Sequence, residues 1–140
     1  MEIVKNDALP ENVITPTIIQ RALLEICVYG IVEKGSNPEE SSVMELAKTL
    51  QAQIEKVGKQ KNRVRILWHC KEGEATSETL EEAKKWCIDN AVCKYYVLVD
   101  EKKAFISESF IKDILKTIQK FEDAQNQMLS RNIKYQPRKY

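Results

Sequence analysis

One hundred and forty residues, 43% apolar and 31% charged, with four glycines and four prolines, exclude a collagenous, low-complexity or membrane-spanning chain and fit a single domain. At this length folding hides roughly two thirds of the chain's surface, so a core can stand without disulfides. Twenty-two basic residues against twenty-one acidic ones leave a net charge of +1, which excludes a globally basic nucleic-acid binder and an acidic disordered chain. Any charged partner must be met locally.

The first twelve residues, M-E-I-V-K-N-D-A-L-P-E-N, carry neither an apolar h-region nor a small-residue cleavage site, so a cytoplasmic protein is expected, or a virion protein if the chain is phage-encoded. The most apolar stretch, Ile18 to Val32, is broken by Gln20, Arg21 and Glu25. It falls short of the roughly twenty apolar residues a bilayer asks for, which places it in a core and leaves no membrane among the partners. Thr15 before Pro16 marks a helix start and predicts a helix over 16–34. That segment is apolar on nearly every side, so it is either a helix buried all round or, over 26–32, a β-branched strand. Next, Gly35-Ser36-Asn37-Pro38-Glu39-Glu40 closes one element and opens another, with Asn37 as cap and two acids facing the positive end of the helix dipole. Val43, Leu46, Ala47, Leu50, Ile54 and Val57 then recur at helical spacing down to Gly58, with Lys48, Gln51, Gln53, Glu55 and Lys56 toward water.

From Arg63 to His69 the chain alternates, Val64, Ile66 and Trp68 on one face and Arg63, Arg65 and His69 on the other, as a strand does. Two arginines on one face suggest an open face or a partner there. Thr79-Leu80-Glu81-Glu82 fits a capping box and predicts a helix over 78–91 along Leu80, Ala83, Cys87 and Ala91. Lys94–Asp100 reads as a buried strand whose acidic end meets solvent. Ser107 or Ser109 then caps a long helix buried along Phe110, Ile111, Ile114, Leu115, Ile118 and Phe121. Beyond Phe121 the stripe thins, which divides the chain into an α/β domain over 1–121 and an extended helix end with a basic tail over 122–140. The last ten residues hold Arg131, Lys134, Arg138 and Lys139 with no acid, together with Tyr135 and Tyr140. Such an arm is solvated, or it grips a partner. Cys27, Cys70, Cys87 and Cys93 match neither a zinc-knuckle nor a redox-dithiol spacing, and with His69 as the sole histidine they read as core thiols. Cys70 beside His69 is no activated nucleophile, since strand neighbours point to opposite faces.

Helix, strand, helix, strand and helix from 43 to 120 predict an α/β fold: helices packed on a short parallel or mixed β-sheet, with ligands gathered outside the strands' carboxyl ends near His69–Gly73 and Asp100–Lys103. Three features lie between 71 and 100: the G-E-x-T loop at Gly73–Thr76, the basic pair Lys84-Lys85, and A-x-x-K-Y-Y-V-L-V-D closing on Asp100. With them, the segment resembles the middle of family-2-type glycosyltransferases of the GT-A fold. I-T-P-T at 14–17 with Arg21 is similar to that family's first loop, Leu50–Lys56 to the helix before its next strand, and Ile106–Ile118 to the helix after its acidic motif.

The resemblance implies the nucleotide-binding half of such a fold, with a nucleotide-sugar site in which Thr15, Arg21, Lys84 and Lys85 cradle the nucleoside diphosphate and Asp100 and Lys102 stand at the acidic strand end. The family's run of aspartates, which would hold a divalent metal, is here Asp100-Glu101-Lys102-Lys103. Two ammonium groups follow the carboxylates, so no metal, cofactor or catalytic residue is assigned, and lysines would take the phosphates as point charges. The same four residues also read as a hairpin turn returning along Ala104–Ile106, and Lys84 and Lys85 also read as a solvated helix face. The family's acceptor-binding half has no counterpart in the stretch after Ile118, which implies a degenerate, non-catalytic module for nucleotide-sugar binding or assembly. The alternative is a structural or protein–protein interaction protein, such as a viral or phage virion or accessory component. It would meet a protein partner or further copies of itself through the last helix and through Arg131, Lys134, Tyr135, Arg138, Lys139 and Tyr140; nucleic acid is not the expected partner.

Overall fold

The computed structural model describes residues 2–6 and 22–135, and side chains among these as far as Met128. Four strands, β1 (Ile3–Lys5), β2 (Leu24–Val32), β3 (Val64–Glu72) and β4 (Tyr95–Asp100), form one sheet in the order β1-β4-β2-β3. The sheet is mixed: β2 runs parallel to both β3 and β4, and β1 runs antiparallel to β4 with Ile3 opposite Val97. Three helices cover it, α1 (Ser42–Glu55), α2 (Ser77–Asn90) and α3 (Phe110–Tyr135). The α/β class expected from the alternation of elements is the class of this protein, a four-stranded open mixed sheet with packed helices.

The segment that the sequence left open between helix and strand is the central strand. β2 is paired on both sides and covered on both faces, so all but one of its nine residues are buried. A strand in that position has no wet face, and its sequence loses the alternation that would announce it. On one face Leu24, Ile26 and Val28 join Val97 and Val99 of β4 under Val43, Leu50 and Ile54 of α1 and Ile111, Leu115 and Ile118 of α3. On the other, Cys27 and Tyr29 join Tyr96 under Ala83 and Cys87 of α2 and Ala91 just after it. Each large apolar side chain buried this way contributes roughly 1.5–3 kcal/mol.

Helix ends follow local chemistry. Asn37 Oδ1 accepts from the Glu39 amide to start a single 3-10 turn over Pro38–Glu40, and Ser41 Oγ then caps α1 by accepting from Met44 N–H at 3.3 Å. α2 begins earlier than the Thr79 capping box predicts: Thr76 is the cap, accepting from Thr79 N–H at 3.2 Å, and the Thr79 hydroxyl bonds to that of Thr76. Gln53, placed toward water by its spacing, instead reaches α3. Its Nε2 donates to Ser107 O at 2.8 Å and its Oε1 accepts from Ile111 N–H at 3.2 Å, so a side chain of α1 holds the first turn of α3.

The arginine pair on β3 also has an answer. Arg63 ends an exposed 3-10 turn, while Arg65 Nε lies 2.8 Å from Glu25 Oε2, an ion pair whose alignment is not that of a hydrogen bond. Glu25 is fully buried on β2; its Oε1 accepts from Val92 N–H at 2.6 Å and Cys93 N–H at 3.3 Å, clamping the α2–β4 connection to the sheet. Asn6 holds the same connection from the other side, donating from Nδ2 to Ala91 O at 2.9 Å. Among the described residues no helix is long and apolar enough to cross a membrane.

Candidate functional site

The parallel strands follow the chain as second, first, third across the sheet. α1 connects the first to the second over one face, and α2 connects the second to the third over the other. Ligands of open α/β sheets collect in crevices outside the carboxyl ends of the strands. Here such a crevice falls between β2 and β4. A hollow of about 180 Å³ occupies the place, lined by Gly30 and Ile31 of β2, Ala75 to Ser77 and Leu80 at the start of α2, and Asp100 to Lys103 after β4.

Each wall has a local cause. Gly30 is the one residue that admits the neighbouring packing: a Cβ there would stand 2.6 Å from Val43 Cγ2 and 3.3 Å from Glu101 Oε2. Gly73 turns the chain out of β3 at a φ of +144°, its amide donating to Val32 O at 3.1 Å, and so delivers Ala75 and Thr76 to the rim. The Thr76 hydroxyl serves the amide of Thr79, leaving those of Ser77 and Glu78 at the positive end of a fourteen-residue helix. Across the hollow, Asp100 Oδ1 accepts from Lys102 N–H at 3.1 Å, and Asp100 O accepts from the amides of Lys103 and Ala104. This tightens the four charged residues into a turn. No strand returns along Ala104–Ile106, so the hairpin reading of this segment is corrected: the chain continues irregularly into α3. Tyr29, buried beside β4, has its phenol pushed above the ordinary value, first by burial and then by the charges of Asp100 and Glu81.

Of the residues singled out by the resemblance, Asp100 and Lys102 line the hollow together with the end of the G-E-x-T loop. Lys84 and Lys85 lie further along α2 and are not part of its lining; Lys85 Nζ pairs with Asp89 Oδ2 at 3.0 Å on the exposed side. Thr15, Arg21, Arg138, Lys139 and Tyr140 lie outside the described residues, and Arg131, Lys134 and Tyr135 fall on the last turns of α3. Gly30, Thr76, Ser77 and Lys103 belong to the lining and went unassigned. A glycine inside an apolar β-branched run was the signal available for Gly30, because such a glycine marks close approach.

The donor set does not suit a divalent cation. Among the described residues no group of three or more His, Cys, Asp or Glu side chains could hold one, and Glu101 turns toward Gly30 beside Val43. The sole histidine, His69, is also elsewhere, stacked on Trp86 of α2 with ring centroids 4.1 Å apart and planes 10° from parallel. Beside it Lys71 Nζ pairs with Glu82 Oε2 at 3.5 Å. The thiols are structural: Cys27, Cys87 and Cys93 are fully buried, and a hydrogen bond with Cys87, burial and nearby negative charge push the Cys27 thiol far up. Cys70 is half-buried and its thiol is pushed up by burial, against a 3.3 Å contact with Ser41 Oγ that acts the other way.

The fold and the crevice together define an open α/β module with a small hollow at its strand ends, rimmed by charged side chains. No protein-family model, curated protein or solved structure matches the chain.

Proposed function

We propose that the chain is a non-catalytic, glycosyltransferase-like binding module that takes the diphosphate of a nucleotide-sugar into the hollow between β2, the first turn of α2 and the Asp100–Lys103 turn. The observation that carries the reading is the position and lining of that hollow: a strand-end crevice, the start of α2, and two lysines beside Asp100 and Glu101 on the opposite rim. Its size narrows the reading further. Pockets that enclose a whole cofactor-sized ligand run to roughly 300–1,000 Å³, so this hollow of about 180 Å³ suits the phosphates and leaves nucleoside and sugar outside. Lys102 and Lys103, in place of a metal, supply the positive charge. Among the described residues the hollow lacks the set of carboxylates that would hold a divalent cation to neutralise a leaving diphosphate, which favours binding over transfer.

Melting temperature followed against increasing UDP-sugar concentration, with and without Mn²⁺, tests the reading. A ligand at about one hundred times its Kd stabilises by about 2.7 kcal/mol. The transition should therefore climb steadily with ligand, equally with and without the metal, and stay flat in a Lys102→Ala/Lys103→Ala double variant. No shift with any nucleotide overturns the proposal.

A second reading, assembly, is favoured by one observation: α3 runs on to Tyr135 past its buried stripe, with Phe121 44% and Met128 63% exposed. Light scattering of the full chain against one ending at Asp123, which keeps the Lys94–Glu122 pair, should then show loss of an oligomer or of partner binding. An unchanged monomer counts against it.

A further inference from the structure

At 89% exposure Phe105 is the most exposed large apolar side chain among the described residues. It is not at a frayed end. Ala104 and Ile106 on either side of it pack against the core beneath α1 and α3, so the ring between them is turned outward by two anchors. The turn that places it is the same one that lines the hollow: Ala104 N–H donates to Asp100 O at 2.9 Å, and Lys103, two residues before the ring, is part of the hollow's wall. A flat apolar surface thus stands two and three residues along the chain from two lysines of the hollow's wall, outside a cavity too small for more than the phosphates of a ligand. A nucleoside diphosphate has that combination of parts, and its base is the part left in solvent when its phosphates are taken up. Aromatic side chains hold bases by their faces, without regard to base identity.

We infer that Phe105 is a base-stacking residue, and that the ligand of this hollow is a nucleoside diphosphate group whose phosphates meet Lys102 and Lys103 while its base lies on the Phe105 ring. This rests on the binding function proposed above and adds the residue that distinguishes a nucleotide from a simple phosphate compound. A sugar phosphate or inorganic pyrophosphate satisfies the lysines and leaves the ring uncovered.

Titration calorimetry with pyrophosphate, glucose 1-phosphate, UDP and ADP tests it on the wild-type chain, Phe105→Ala and Phe105→Tyr. So exposed a position leaves the fold intact in either variant, which a melting curve without ligand verifies. UDP and ADP should bind the wild type about five- to one-hundred-fold more tightly than pyrophosphate, the range expected of one stacked base. Phe105→Ala should bring both nucleotides to within about twofold of pyrophosphate, leaving pyrophosphate affinity unchanged, and Phe105→Tyr should keep the preference. Pyrophosphate binding without any gain from a base, or a gain that survives Phe105→Ala, overturns the role of Phe105 and leaves the binding function standing. If neither pyrophosphate nor nucleotide binds, both fall.

Discussion

A carboxylate removed from water needs partners, and Glu25 has them: two backbone amides donate to Oε1, and the Arg65 guanidinium pairs with Oε2 as an ion pair. Deleting the carboxylate costs more than its hydrogen bonds contribute, because it takes the acceptor away from amides at least partly withdrawn from water. Glu25→Ala strands the amides of Val92 and Cys93, and urea denaturation should record a loss of about 2–4 kcal/mol. Gly30→Ala acts by crowding instead. Its methyl would meet Val43, itself 1% exposed, for a cost of about 1–3 kcal/mol. Shortening the neighbour in Gly30→Ala/Val43→Ala should return part of that loss, which a simple sum of two destabilising changes would not. His69 adds a pH dependence. Burial first, then Lys71, holds its imidazole below the ordinary value of about 6.5. Protonation therefore favours the unfolded chain: stability is level above that value and declines as pH falls below it. Urea midpoints between pH 8 and 5 should show a decline in the wild type that is shallower in His69→Phe.

Among the elements, α1, α2, β3 and the short buried β4 are legible in the sequence, and β2 is not. α1 and α2 show their apolar stripes at helical spacing, and β3, at the sheet's edge, keeps its alternation. β2 could not be told from a buried helix, since being covered on both faces removes the period that separates the two. The α2 start lies within one residue of the expected 78, but its cap is Thr76 rather than Thr79, because both have the chemistry of a cap. At the hollow, the strand-end rule points to Asp100 and Lys102, whereas Gly30 enters from the segment left open between helix and strand, and Thr76 from the end of the G-E-x-T loop as the cap of α2. Gln53 shows a further limit: helical phase gives the side a residue faces but not a neighbouring helix that arrives there. Gln53→Ala removes its two bonds to the start of α3, and thermal or urea unfolding should register a loss of about 1–2 kcal/mol.

For the whole molecule, the three layers are fastened at opposite edges of the sheet by different means. At the amino-terminal edge, Glu25 and Asn6 grip the α2–β4 connection through polar bonds. The carboxyl edge is held by packing and by short turns, and there the hollow opens. α3, with 26 residues, spans about 39 Å at 1.5 Å per residue. Its body is fixed through Ile111 to Ile118, with a further tie where Lys94 Nζ meets Glu122 at 2.9 Å. On the far side of the sheet, β3 is left as a nine-residue edge among the described residues, guarded by Arg65 and Lys71 as edge strands commonly are.

The burial of three thiols makes the chain its own stopwatch. In native buffer an alkylating reagent should reach half-buried Cys70 first, while Cys27, Cys87 and Cys93 wait for the sheet to lose its cover. Adducts counted over time by mass spectrometry then separate two kinds of opening. If Cys87 reacts long before Cys27 and Cys93, α2 peels away alone; if all three react together, the far layer and the strands beneath it come apart as one cooperative unit, which is the behaviour the Glu25 clamp predicts.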